Sequence, residues 1–209
     1  MELTLRAEVP KFLQVSTDEV YGSITNGSWD EGSPLLPNSP YSASKASADL
    51  LVRAYNRTFG LHTNITRCSN NFGTHQYPEK VIPVIIRSIL SNNQIPIYGN
   101  GSNQRDWLHV EDHCRALKLV MSGGKSGEIY NIGGGTELAN IDLARRILEL
   151  MGANENLIAF VSDRKGHDLR YSVNYTKLNT ELGYVPKHSI HNSLVDVIDW
   201  YTTNYSWWD

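Results

Sequence analysis

Cysteine is scarce in this sequence. Cys68 and Cys114 are the only two among 209 residues, and their spacing fits neither a zinc site nor a redox pair. They read as reduced thiols of a cytosolic protein. Excess charge of either sign is missing too. The chain has 19 Lys and Arg against 22 Asp and Glu, a net charge of -3, which leaves no footprint for nucleic acid or a membrane surface. No apolar run approaches the ~20 residues that span a bilayer, and no signal peptide opens the chain. Repeats and low-complexity tracts are absent. His62, His75, His109, His113, His188 and His191 show no metal-ligand spacing, so they read as structural or surface residues and no metal is expected. What remains is an ordinary globular composition, in a cytoplasmic setting. Its length suits one domain, or one domain with a small lobe.

What is present begins with Ser16-Thr17-Asp18-Glu19-Val20-Tyr21-Gly22. The short apolar run before it, residues 12–15, reads as a buried parallel strand. After it comes a loop rich in Gly, Ser, Asn and Pro that reaches residue 40 and carries Trp29-Asp30-Glu31, either a lid or only a surface loop. A hydroxyl and two adjacent carboxyls therefore sit where a strand ends, the usual place for ligands in open α/β sheets. A Ser/Thr/Asp turn or cap would explain residues 16–18; it gives no reason for Glu19.

Further along, residues 41–59 have helical periodicity, with Ala43, Ala46, Leu50, Leu51, Ala54 and Tyr55 on one face. Pro40 precedes this helix and Gly60 follows it. Strands are predicted over 62–68, Ile95–Tyr98, 128–132 and 157–161. Helices are predicted over Val81–Leu90, 110–121, 140–151, 175–182 and 189–201, the 140–151 helix either capped by Asn140 or not. Gly133-Gly134-Gly135 lacks dinucleotide spacing and reads as a turn. Strands alternating with helices give an α/β fold with mainly parallel pairing.

Tyr41-Ser42-Ala43-Ser44-Lys45 places a tyrosine and a lysine on one helix face. A lysine ammonium near a phenol lowers the tyrosine's pKa and makes it a general base for a hydroxyl. An ordinary exposed i,i+4 pair is the alternative. Both motifs lie at the mouth of one strand, separated by one loop.

Thr17-Asp18-Glu19 followed by Tyr41-x-x-x-Lys45 resembles the extended short-chain dehydrogenase/reductase superfamily. Four more stretches narrow the resemblance: Arg67-Cys68-Ser69-Asn70-Asn71-Phe72-Gly73, Tyr77-Pro78-Glu79-Lys80-Val81-Ile82-Pro83, Arg105-Asp106-Trp107-Leu108-His109-Val110-Glu111-Asp112-His113, and Asp163-Arg164-Lys165-Gly166-His167-Asp168. Six motifs in order resemble the dTDP-glucose 4,6-dehydratases, NAD-dependent members of the epimerase/dehydratase group, over nearly the whole chain. Epimerases of the superfamily usually carry small residues in place of Asp18 and Glu19, and GDP-mannose dehydratases tend to carry Thr-Ser-Glu.

The resemblance implies a lyase that removes water from a nucleotide sugar through transient oxidation by bound NAD. Tyr41, assisted by Thr17 and Lys45, would take the sugar 4-hydroxyl proton; Glu19 would take the C5 proton; Asp18 would protonate the leaving 6-hydroxyl. Tyr41, Lys45 and Asn71 would contact the nicotinamide side of NAD. Thr17, Asn70, Lys80, Val81, Pro96, Ile97 and Tyr98 would line the sugar nucleotide, and Arg105, Asn140, Arg164 and His167 would hold its nucleotide and diphosphate. Arg105-Asp106 as a local ion pair, Asn140 as a cap only and His167 as an ordinary loop residue are the alternatives. The resemblance also implies a homodimer through the 41–59 helix and the helix before the first strand.

Two departures accompany it. Lys165 stands where the family usually has proline. The family's opening strand, Gly-x-x-Gly-x-x-Gly turn and pyrophosphate-binding helix have no counterpart upstream of Phe12; three or four βα units at ~30 residues each amount to about 100 residues. The expected fold is thus a truncated Rossmann-like parallel sheet without its N-terminal βα units, residues 1–92, plus a smaller C-terminal α/β substrate lobe, residues 93–209. The first strand becomes an edge, prone to association, and the chain alone is expected to bind NAD weakly. A non-catalytic remnant that retains nucleotide-sugar binding, and an epimerase or decarboxylase on another nucleotide sugar, are the other functional readings.

Overall fold

Parallel strands need long crossovers, and this chain provides them as helices. The computed structural model describes residues 1–208. Helix α1 (Glu2–Arg6) leads to β1 (Phe12–Thr17), which runs into a 3-10 turn, Asp18–Tyr21. Then come α2 (Pro40–Phe59), β2 (Thr63–Cys68), β3 (Asn70–Phe72), α3 (Val81–Leu90), β4 (Ile95–Tyr98), β5 (Gln104–His109) and α4 (Val110–Gly123). The chain continues with β6 (Ile129–Ile132), β7 (Glu137–Ala139), α5 (Asn140–Leu150), β8 (Ile158–Val161), α6 (Thr176–Leu182) and α7 (Ile190–Thr203). The strands form three small sheets, ordered β1-β2-β6, β3-β5-β7 and β4-β8. All pairs are parallel except β5 with β7. Phe12 faces Thr63 and Ile65 faces Ile129, so β1 is an edge of its sheet, paired on one side.

Helix α2 starts where the sequence directs it. Ser39 caps the N-terminus, exchanging hydrogen bonds with Ser42; Pro40 takes the first turn and Gly60 closes the helix in the left-handed region. Its packing differs from the expected face. Ser42, Ala46, Asp49 and Val52 are buried, while Leu50 and Leu51 are 53% and 59% exposed. The inward side of α2 is polar because it meets a buried guanidinium: Arg67 of β2 donates to Asp49 at 2.9 Å and to the Tyr21 hydroxyl at 2.8 Å, which in turn donates to Asn131.

One apolar core joins α3, α5 and α7 to β4, through Ile82, Ile85, Ile86, Ile95, Ile97, Leu143, Ile147, Leu194 and Val197. A second joins α4, β6 and α6, through Ala116, Val120, Tyr130, Ile132 and Leu178. Each fully buried Ile or Leu contributes about 1.5–3 kcal/mol. Strands β5 and β7 were not anticipated, because Arg105, Asp106 and Glu137 interrupt any apolar alternation. Asn140 occupies the first turn of α5, and Ala139 is the N-cap, with no side-chain cap bond. The loop after the 3-10 turn is a fastened brace. Trp29 N–H donates to the Ser172 carbonyl (2.9 Å), its carbonyl accepts from Asn174 N–H (2.8 Å), and its indole donates to Gly22. Glu31 accepts from the backbone N–H of Asn131 (2.9 Å).

Candidate active site

β1 delivers Thr17, Asp18 and Glu19 to one place because it stops short. Thr17 Oγ1 accepts the Glu19 N–H at 3.3 Å and so caps the 3-10 turn. The turn closes at Gly22, where φ is 79° and a Cβ would meet the Leu36 carbonyl oxygen at 2.4 Å. Thr17 and Asp18 are buried and Glu19 is half-buried.

The two carboxyls stand in unequal surroundings. Asp18 is 2% exposed; its Oδ1 faces the Thr17 hydroxyl at 3.4 Å and its Oδ2 has no partner. Burial, then Glu19 and Asp106, push its pKa well above the ordinary carboxylate range, against Arg105 and the Thr17 bond. Glu19 is also raised by burial, but three cations, Arg105, Arg164 and Lys80, oppose that rise, with Asp168 adding to it. Asp18 is therefore the better proton carrier, and Glu19 the better proton acceptor.

Tyr41 lies in the first turn of α2, its side chain open to solvent. The expected lowering of its pKa by Lys45 is not found. Lys45 Nζ donates to the Val15 carbonyl on β1 at 2.7 Å. Burial, then Glu19, Cys68 and Asp18, push the phenol up instead. Cys68 itself is held as a neutral thiol, pushed up to about 12 by burial.

Arg105 is buried over the Tyr171 ring at 4.5 Å, donating to the carbonyls of Gln104 (2.6 Å), Asp168 (2.9 Å) and Leu169 (3.3 Å). It is no local partner of Asp106. Both Asp106 oxygens accept backbone N–H groups, from Gly134 at 2.9 Å and Thr136 at 3.0 Å. Gly134 must lack a side chain, since a Cβ there would lie 1.9 Å from the Trp107 carbonyl oxygen. Asp168 ties the loop to the brace, accepting from Asn38 at 2.6 Å and from the Tyr171 hydroxyl at 2.5 Å.

The remaining expected residues spread around this centre. Arg164 sits 5.0 Å over the exposed Tyr98 ring and donates to His167 Nε2 at 2.8 Å, while His167 Nδ1 donates to Asp163 at 2.6 Å. His167 is thus part of a chain that orients the guanidinium. Lys80 is the exposed N-cap of α3 and pairs with Glu79 at 3.2 Å; Val81 is half-buried against the core. β4 alternates, so Pro96 and Tyr98 face outward while Ile97, 2% exposed, points into the core. Any contact from Ile97 to a ligand is through its backbone. Asn140 is half-buried, its N–H bonded to the Asn103 carbonyl. Asn70 keeps a buried Oδ1 without a partner. Asn71 donates to the Ser69 carbonyl at 3.1 Å and accepts from His113 Nδ1 at 2.9 Å. Tyr171 and Asn38 were not singled out from the sequence, Asp106 was read only as a possible partner of Arg105, and His113 only as structural or surface. Their roles depend on pairings between distant segments, which no local spacing announces.

Comparison with known proteins bears on this site directly. The family model described as GDP-mannose 4,6 dehydratase matches residues 2–197. The chain belongs to that family. Within the GDP-mannose 4,6 dehydratase family, it is 51% identical over its full length to a dTDP-glucose 4,6-dehydratase of Streptomyces niveus, covering 62% of that protein. It is 52% identical to a dTDP-glucose 4,6-dehydratase of Actinoplanes sp., covering 65% of it. The crystal structure of DesIV, a dTDP-glucose 4,6-dehydratase from Streptomyces venezuelae solved with NAD bound, superposes with a TM-score of 0.98 at 51% identity, over 100% of this chain and 65% of that one. The chain spans a little under two thirds of the length of these relatives. No helix among the described residues is long and apolar enough to cross a membrane.

Proposed function

We propose that the chain carries the dehydration machinery of a dTDP-glucose 4,6-dehydratase, a lyase that converts dTDP-glucose to dTDP-4-keto-6-deoxyglucose. The observation that carries this reading is the adjacent pair Asp18 and Glu19 in unequal environments at the end of β1. An epimerase needs no such pair, since it only oxidises and re-reduces one carbon. Relatives about half identical to the chain, named for this activity, support the substrate.

The residues present fit the nicotinamide side of NAD. Tyr41 offers an exposed phenol, and Lys45 has ammonium protons beyond the one given to Val15. Bound there, NAD would supply the acceptor and later the donor of a hydride. Tyr41 removes the 4-hydroxyl proton, with Thr17 beside it. Its raised pKa means that a cation brought close in the complex, Lys45 foremost, is needed to stabilise the phenolate. Glu19 takes the C5 proton once a carbonyl at C4 has made it acidic, and Asp18, whose burial favours its neutral form, gives its proton to the departing 6-hydroxyl. Arg105 steadies both carboxyls, and Arg164, set by His167, faces the diphosphate.

The same reading places residues 1–92 with the dinucleotide-binding sheet and most of 93–209 with the sugar nucleotide. A homodimer through α2 is supported by exposed Leu50, Leu51 and Phe59 and by α1 alongside, where Tyr55 donates to Glu2. Free Cys68 and Cys114 suit a cytoplasmic setting. The test is a chimera in which this chain replaces the matching segment of the Streptomyces niveus enzyme. It should form a 4-keto sugar from dTDP-glucose, seen by alkali-induced ultraviolet absorbance, and lose that product on Asp18→Asn. A folded chimera that binds dTDP-glucose without dehydrating it would sink the proposal.

A further inference from the structure

Away from the carboxyl pair, β5 ends in His109, and α4 begins with Val110, Glu111 and Asp112. The chain returns to this point just before α7, at His188. The His109 and His188 rings lie tilted against each other, with centroids 4.5 Å apart and an interplanar angle of 30°. One ring nitrogen from each histidine and a carboxylate oxygen of Glu111 fall within 4.8 Å of one another. His188 Nε2 is 3.6 Å from Glu111 Oε2. We propose that His109, Glu111 and His188 form a binding site for a divalent transition-metal ion, with Zn2+ as the best match.

Three features of the geometry support it. Two imidazoles and one carboxylate are a donor set that Zn2+ takes, with water in a fourth position. Ligand bonds of about 2.0–2.1 Å bring tetrahedral ligand atoms to roughly 3.3 Å from one another, so closure from the present spacing asks only for small side-chain rotations of an exposed glutamate and a half-buried histidine. Behind the ligands stands a carboxylate. Asp112 is fully buried, with Oδ1 3.2 Å from His188 Nδ1. Its position is fixed by the backbone N–H groups of Lys187 and His188, both at 2.8 Å, and by Arg115 at 2.7 Å. A carboxylate behind a histidine's second nitrogen directs the first toward a metal.

His109 adds a constraint. Its Nδ1 accepts the Glu111 N–H at 3.3 Å and caps α4. A metal on Nδ1 replaces that long hydrogen bond; a metal on Nε2 requires the other tautomer. Either way the ion joins segments far apart in sequence, the β5–α4 junction and the strap before α7. Bound there, it acts as a clip that closes a long loop and stabilises the fold in proportion to its affinity.

The experiment is a titration of the full chain, stripped with chelator, with Zn2+ alone and with Co2+ as a visible reporter. One ion per chain is expected, with tetrahedral Co2+ absorption bands and a raised melting temperature. His188→Gln should weaken binding by roughly 100-fold or more, since loss of a second-shell partner already costs ~10–100-fold. Glu111→Gln, on an exposed side chain, should weaken it without changing the melting temperature in chelator, and His191→Gln should change nothing. No stoichiometric binding would overturn the proposal. So would binding that persists undiminished in both His188→Gln and Glu111→Gln.

Discussion

His113 Nδ1 donates to Asn71 Oδ1 at 2.9 Å, linking α4 to β3 beneath the proposed nicotinamide side of the site. The same ring is buried, its Nε2 has no partner, and burial pulls its pKa down from 6.5 to about 4. A histidine depressed in the fold takes its proton more readily when unfolded. The stability that goes with its neutral form is complete above pH 6.5 and is lost as pH falls toward 4. At 1.36 kcal/mol per pKa unit the full loss is about 3 kcal/mol. Urea unfolding between pH 7 and 4.5 should show this decline, and His113→Gln should flatten it. An unchanged slope in the variant would remove His113 as the cause.

Asp18 has the opposite sign. Its folded pKa is raised, so ionisation favours the unfolded chain, and the cost grows as pH rises from about 4 toward the folded value. Asp18→Asn keeps the shape and removes the charge. It should raise the melting temperature at pH 7, with a smaller gain at pH 4, while lowering dehydration in the chimera by about 100-fold or more, the usual worth of a general acid. A variant no more stable than the parent at pH 7 would argue against a raised Asp18 pKa.

Asp49 and Arg67 form a buried pair, 0% and 1% exposed, at 2.9 Å. Truncating one partner strands a charge in the interior. Asp49→Ala should therefore cost about 3–5 kcal/mol in chemical unfolding, whereas Asp49→Leu with Arg67→Met should cost much less. The comparison separates a pair that specifies geometry from one that supplies net stability.

Leu50 and Leu51 lie on the open side of α2, with Phe59 53% exposed at its end. If the chain self-associates through this face, Leu50→Glu with Leu51→Glu should shift sedimentation toward the monomer while lowering the unfolding free energy by no more than about 0.5 kcal/mol, since surface changes are usually that small. Unchanged association would place the contact elsewhere.

Most of the fold was legible in the sequence because helices announce themselves locally. Pro40 opens α2 and Gly60 ends it, and Val81–Leu90 is helical as its periodicity indicates. The inward face of α2 was not legible. Leu50 and Leu51 point outward while Asp49 faces in, held by Arg67, and nothing near Asp49 in sequence reveals a buried arginine on β2. β5 was missed for a related reason: Arg105 and Asp106 look like site chemistry, yet they lie within a strand, one against the Tyr171 ring and the other on the Gly134 turn. The motif order made Thr17, Asp18, Glu19, Tyr41 and Lys45 candidates, and the fold sets them at the end of β1 and the first turns of α2. The direction of the Tyr41 shift is set by burial and by Glu19, Cys68 and Asp18 nearby, and that is a matter of three-dimensional placement.

The strand order β1-β2-β6 has a kinetic consequence. Phe12 pairs with Thr63 and Ile65 with Ile129. Each ladder must close a loop of more than fifty residues, 63 − 12 = 51 and 129 − 65 = 64, before its hydrogen bonds offset the entropy lost. Local helices such as α2 and α3 therefore form early and wait for the sheet, so refolding is slow relative to a helical bundle of this size. During that wait the outer side of β1 is exposed, and dilute conditions favour productive folding over association.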